Sequence, residues 1–108
     1  MTPFVRGSLY WGRMDKRRPV LVISHDLRNR FASDVTIVPC STSLRPLSWH
    51  VLLPRGEGGL PFESTAKCEQ VTTLPKSDLE PRALGALGPS RMREVEQALL
   101  RALDIRTS

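Results

Sequence analysis

The amino-acid sequence predicts an α+β domain dominated by strands, a small and strongly bent sheet or open barrel with one helix packed on it. Three observations lead there. Short runs rich in β-branched and aromatic residues, separated by Gly, Pro and hydroxyl clusters, fill the chain up to Leu87. The one stretch with sustained helical spacing comes last, between Gly88 and Leu103. Nothing repeats and no linker divides the chain, so a single domain over residues 1–108 is expected, long enough to bury one core without metals or disulfides.

The first strand is expected over Val5 to Trp11. The polar connection Gly12-Arg13-Met14-Asp15-Lys16-Arg17 then leads to a second strand, Val20 to Ser24, completing a hairpin. Pro19 pushes Arg18 into extended backbone and opens this strand, whose apolar residues are too continuous for a half-exposed face. His25 to Phe31 reads as a loop or one helical turn with Leu27 and Phe31 packing inward. Val35 to Cys40 is a third strand, in which Pro39 marks an edge or bulge where the ladder should falter.

A hydroxyl-rich loop, Ser41 to Ser48, precedes a strand from Trp49 to Leu53. Gly56-Glu57-Gly58-Gly59-Leu60-Pro61 is an exposed turn. A fifth strand runs from about Ser64 to Thr73 with one break in its alternation, placing Ala66, Cys68 and Val71 inward and Lys67 and Glu69 away. A short sixth, Ala83 to Leu87, leads into the helix. Gly88 suits its cap and Pro89 its first position, and Met92, Val95, Leu99, Ala102 and Leu103 form one apolar stripe for the sheet.

Charge is unevenly distributed. The net charge is +5. Residues 1–55 hold nine Arg or Lys against three Asp, whereas residues 56–108 hold seven against eight acids, so a polyanion or an acidic protein would be met through the N-terminal half. No apolar run reaches membrane-spanning length. Met1-Thr2-Pro3-Phe4-Val5-Arg6 lacks a basic head followed by an apolar stretch, so a cytoplasmic location and reduced thiols are expected. Cys40 and Cys68 lack the paired spacing of a zinc site and read as buried small hydrophobes rather than ligands or a disulfide.

A search for chemistry removes several classes. Gly56-Glu57-Gly58-Gly59 lacks the lysine and following helix of a phosphate-binding loop, and Asp15, Asp26 and Asp34 are too scattered to hold a metal. His25 and His50 have no spacing that makes them an acid–base couple. Tyr10, Trp11 and Trp49 are explained by core packing at least as well as by base stacking. What remains is a basic strand edge at Lys16, Arg17 and Arg18 and a hydroxyl pair, Ser41 and Thr42, each at a strand end. A guanidinium on a rigid strand presents a planar fork of donors suited to phosphate oxygens.

These residues carry a resemblance. Arg6-Gly7-Ser8-Leu9-Tyr10-Trp11, Lys16-Arg17-Arg18-Pro19-Val20-Leu21-Val22-Ile23-Ser24 and Val38-Pro39-Cys40-Ser41-Thr42 are similar to segments of the MazF/PemK family of toxin endoribonucleases. Leu60-Pro61, Ser64, Glu69-Gln70-Val71-Thr72-Thr73-Leu74 and the Leu84-to-Leu87 strand follow in the family's order, so the resemblance covers almost the whole chain.

The resemblance implies an SH3-like barrel with a C-terminal helix, forming a cytoplasmic homodimer that cleaves single-stranded RNA, messenger RNA in the first place, at short sequences and is silenced by a cognate antitoxin. It implies cleavage without metal or other cofactor, the 2′-hydroxyl attacking the phosphate to leave a 2′,3′-cyclic phosphate and a 5′-hydroxyl. The family's arginine before the strand proline falls on Arg18, as the stabiliser of the phosphorane. Its threonine falls on Ser41, with Thr42 adjacent as the alternative hydroxyl. Lys16, Arg17 and Gln70 are expected to bind RNA. The family's longer first loop carries a glutamate without a counterpart here, which leaves the general base unassigned, and Asp15, the acidic residue in that loop, is the candidate for its role. His25, beside Asp26, is expected near the groove, where it would make activity pH-dependent. Two rivals stand beside this reading: a non-catalytic toxin of the same barrel type that poisons DNA gyrase by protein contact, and an RNA-binding module without cleavage.

Overall fold

A computed structural model describes residues 4–107, so Met1 to Pro3, on which part of the N-terminal reading rests, lie outside the described residues. The chain forms β1 (Ser8–Arg13), β2 (Arg17–Val22), α1 (Asp26–Phe31), β3 (Asp34–Ser41), β4 (His50–Leu53), β5 (Ser64–Lys67), β6 (Thr72–Pro75), β7 (Leu79–Ala86) and α2 (Pro89–Ala102), with 3-10 turns at Glu57–Gly59, Cys68–Gln70 and Lys76–Asp78. All strand pairings are antiparallel, in the order β4-β5-β3-β2-β1-β7, with β6 also on β3. Among the described residues β4 and β7 do not pair with each other, so the barrel is open.

The continuous apolar run of β2 is buried on both faces. Leu21 joins Leu9, Val38 and Cys40 in a core closed by Val95 and Ala98 of α2. Val20 and Val22 join Tyr10, Val35 and Ile37 in a second cluster. Burying a Val or Leu side chain is worth about 1.5–3 kcal/mol, so the run from Val20 to Val22 firmly anchors the strand that begins with Arg17 and Arg18.

β3 organises the sheet. One edge pairs with β2; the other is shared, Asp34 to Ile37 with β6 and Cys40 to Ser41 with β5. Pro39 does not end the strand. It sits opposite Val20, and its missing N–H falls at the handover from β6 to β5, where neither needs it. The expected long fifth strand is accordingly two, split by the turn at Cys68–Gln70, while Ala66 and Cys68 do point inward.

Three local expectations change. β1 begins at Ser8 rather than Val5, because Gly7 turns the chain at φ +90°. In α1 Leu27 and Phe31 are 61% and 76% exposed, and Asn29 is the buried residue, its amide donating to the Ser24 carbonyl while its side-chain oxygen accepts from the Ser24 hydroxyl. A fully buried amide with its hydrogen bonds made outweighs the two apolar residues that flank it. α2 starts as expected at Gly88 and Pro89, but Ala98 takes the buried place expected of Leu103, which is exposed.

Candidate functional site

The β1–β2 hairpin turns tightly through Met14, Asp15 and Lys16, with the Met14 N–H donating to the Lys16 carbonyl. Its register sets Arg17 opposite Arg13, Arg18 opposite Gly12 and Pro19 opposite Trp11. Neighbouring residues of a strand face opposite ways, so the two arginines begin on different sides of the ribbon. Arg17 is exposed and stacks its guanidinium 4.1 Å from the ring centroid of Trp11, while Nε and Nη2 donate to Glu80 of β7 at 2.6 and 3.0 Å. The hydrogen bond from Arg17 holds the Glu80 carboxyl below its ordinary range, so the partner is anionic at neutral pH.

Arg18 is drawn inward until its side chain is 16% exposed. Its Nη2 donates to both carboxylate oxygens of Asp15, at 2.8 and 3.1 Å. Its Nε is buried without a hydrogen-bond partner. An unmet buried donor costs about 1–3 kcal/mol, and a guanidinium fixed on a strand with its Nε–H unpartnered is suited to an oxyanion that completes it.

A groove of about 250 Å³ opens at this point. Lys16, Arg17 and Arg18 form one wall with Trp11; Ser41 and Thr42 form another, at the end of β3; Pro61 and Phe62 close it from the segment entering β5. Ser41 is pinned opposite Thr65, and its Oγ accepts from the Ser43 N–H at 3.1 Å, which leaves the hydroxyl proton to donate elsewhere. Cys40 also lines the groove, but its side chain is buried in the main core, and burial, reinforced by Cys68, pushes its thiol up to about 12, so the thiol stays neutral.

The basic edge and the hydroxyl pair are therefore brought together, as the family resemblance implies. Asp15 lies outside the lining and reaches the site through Arg18. Two other residues named from the sequence are elsewhere. His25 caps α1, its Nδ1 accepting from the Leu27 N–H, at the far end of β2 from Arg18; the four residues to Val22 alone span ~13 Å. Gln70 is exposed in the turn Cys68–Gln70, which leaves β5 to pass beneath α2, and it does not line the groove. His50 is a structural residue, its ring buried and its Nε2 2.9 Å from Glu69 Oε2. Among the described residues no group of three or more His, Cys, Asp or Glu could hold a metal ion, and no helix is long and apolar enough to cross a membrane.

Sequence reasoning missed Phe62 altogether and gave Trp11 core packing at least as readily as base stacking. Only the strand pairing, which faces Trp11 with Pro19 and brings Arg17 over its ring, gives it away.

Known proteins share the sequence pattern and the fold of this chain. The family model described as PemK-like, MazF-like toxin of type II toxin-antitoxin system matches residues 6–103. Endoribonuclease MazF6 of Mycobacterium tuberculosis is 34% identical over 111 residues, covering 93% of this chain and 96% of that protein. The solved structure of Mycobacterium tuberculosis toxin MazF-mt6 superposes with a TM-score of 0.86 at 28% identity, covering 93% and 99% of the two chains. An endoribonuclease from Mycobacterial species solved in complex with its cognate antitoxin does so with a TM-score of 0.85 at 26% identity, covering 97% and 99%. With its Arg18 groove on a sheet shared with these proteins and a family match over most of its length, this chain belongs to the PemK-like, MazF-like toxins of type II toxin–antitoxin systems.

Proposed function

We propose that the protein is a toxin endoribonuclease that cuts single-stranded RNA, messenger RNA foremost, in the Arg18 groove. It works without a metal or cofactor, as a cytoplasmic homodimer of one-domain chains spanning residues 1–108, and is neutralised by a cognate antitoxin. The observation that carries the reading is the buried, unpartnered Nε of Arg18 in a groove shared with the Ser41 hydroxyl.

The chemistry assigns each part a task. The 2′-oxygen attacks the adjacent phosphorus and loses its proton; the P–O5′ bond breaks, and the leaving oxygen takes up a proton to become a 5′-hydroxyl. The phosphorane between carries extra charge on its non-bridging oxygens. A fixed guanidinium with a spare donor meets that charge better than it meets the ground-state phosphate. Arg18 is the stabiliser, Ser41 donates to a second non-bridging oxygen with Thr42 beside it, and Lys16 and Arg17 hold flanking phosphates. Asp15, both of whose oxygens engage Arg18, positions that side chain.

The test is incubation with mixed-sequence single-stranded RNA in EDTA, with fragment ends read by mass spectrometry. Wild type should leave cyclic-phosphate and 5′-hydroxyl ends. Arg18→Ala should cut about 10²–10³-fold more slowly while still binding RNA. Intact RNA across many sequences would overturn the reading in favour of a toxin that acts by protein contact.

A further inference from the structure

We propose that Phe62 is a nucleobase platform: the base next to the phosphate held at Arg18 leaves the strand's own stack and lies on the Phe62 ring. The proposal rests on the nuclease reading above and names how the groove takes hold of a single strand.

Phe62 lines the groove and is 64% exposed. The ring stands on a stiff mount. Leu60 before it is buried in the main core, Pro61 restricts the backbone, and Ser64, itself buried, donates its hydroxyl to the Phe62 carbonyl at 2.9 Å. At 64% exposure the side chain stands largely outside the core, on a backbone fixed by its neighbours. Trp11, the other aromatic residue in the groove, is differently placed, since Arg17 already lies over its ring and is tied there by Glu80.

The occupant follows from what adjoins the ring. Arg18, with its unmet buried donor, and Lys16 ask for a phosphate, while Phe62 offers a flat π-face across the same 250 Å³. Phosphate and planar ring together are a nucleotide. A groove of this size takes one nucleotide unit, and a base can reach the platform only if it is free to unstack, which selects single strands over duplexes. Every base has a π-face, so the platform supplies grip and strand selectivity without choosing base identity.

The test uses short single-stranded oligonucleotides covering varied sequences and, for any that wild type cuts or binds, versions in which each base around the cut or bound site is removed in turn, leaving an abasic ribose. Cleavage kinetics and fluorescence-anisotropy binding are measured for wild type, Phe62→Leu and Phe62→Trp. Because a base stacked on an aromatic side chain contributes about 1–3 kcal/mol, Phe62→Leu should raise KM about tenfold on intact RNA with the loss concentrated in KM, and Phe62→Trp should restore it. At one abasic position next to the cut, wild type should show the same loss and Phe62→Leu should add nothing. Equal KM for wild type and Phe62→Leu overturns the platform, as does a Leu penalty that persists at every abasic position. The two layers separate cleanly: RNA cut without dependence on Phe62 sinks the platform alone, RNA bound through Phe62 but never cut sinks the nuclease alone, and RNA neither bound nor cut sinks both.

Discussion

Asp15 grips Nη2 of Arg18 with both carboxylate oxygens, at 2.8 and 3.1 Å, from the turn three residues earlier. The carboxylate is 75% exposed and the guanidinium nearly buried. A pair with one partner so wet adds little stability, ~0–1 kcal/mol. Its consequence is orientation: it occupies one end of the fork, while Nε is left without a partner.

The first prediction separates positioning from proton transfer. Asp15→Asn keeps an oxygen that can accept from Arg18, so kcat/KM on a single oligonucleotide should stay within about tenfold of wild type, whereas removal of a general base costs about 10²–10⁴-fold. Asp15→Ala should fall further than Asn. A hundredfold loss in Asp15→Asn would make Asp15 the base.

Glu80 occupies the Arg17 guanidinium with both carboxylate oxygens. Substitution by Gln keeps the shape and removes the charge, freeing the guanidinium to meet RNA. Glu80→Gln should bind single-stranded RNA several-fold more tightly at low salt, and its plot of log affinity against log salt should steepen by about 0.7, the contribution of one phosphate on a single strand. An unchanged slope would mean that Glu80 does not keep Arg17 from the RNA.

How much of this could be read from the chain depends on how local the cause is. The hairpin and its basic edge were legible because Pro19 and the apolar run after it act on their own neighbourhood, and the cap of α2 for the same reason. The meeting of Arg18 with Ser41 and Thr42 came through the family resemblance. Phe62 was not legible, because nothing in sequence distinguishes an aromatic residue held out by a stiff turn from one bound for the core. Glu80 lies 63 residues from Arg17, and only the β1–β7 pairing brings them together. The inward reading of Leu27 and Phe31 failed because the hydrogen bonds of Asn29 with Ser24, which decide which side of α1 is buried, leave no periodic trace.

The glycine-rich turn serves packing. At Gly59, with φ +77°, an added Cβ would lie 2.0 Å from the Leu84 carbonyl oxygen, and at Gly85 one would lie 2.6 Å from the Gly58 carbonyl carbon, so turn and β7 meet backbone to backbone. Gly56 has φ +92° but open space around it. Gly56→Ala should cost only the left-handed penalty, about 1–2 kcal/mol, while Gly59→Ala adds a clash with main chain and should cost about 3 kcal/mol or more. Urea melts of the two variants measure the difference. Equal losses would show that the turn can move away from β7.

The same turn is fastened to α2 by an ion pair whose pH dependence has a definite sign. Arg91 donates from Nε and Nη2 to the two oxygens of Glu57, at 2.5 and 2.8 Å, and this hydrogen bonding holds the Glu57 carboxyl below its ordinary value. A carboxyl depressed in the folded state favours folding above its unfolded pKa, about 4.3, and that contribution is lost as pH falls through the folded value. Both side chains are only partly buried, so after solvent screening the pair is worth roughly 1 kcal/mol. Glu57→Gln should therefore melt about 4 °C below wild type at pH 7, and the two melting temperatures should converge as pH drops below the carboxylate range. A gap that stays constant from neutral to acid would assign the loss to altered packing of the turn on α2, because only the ionised carboxylate can make it depend on pH.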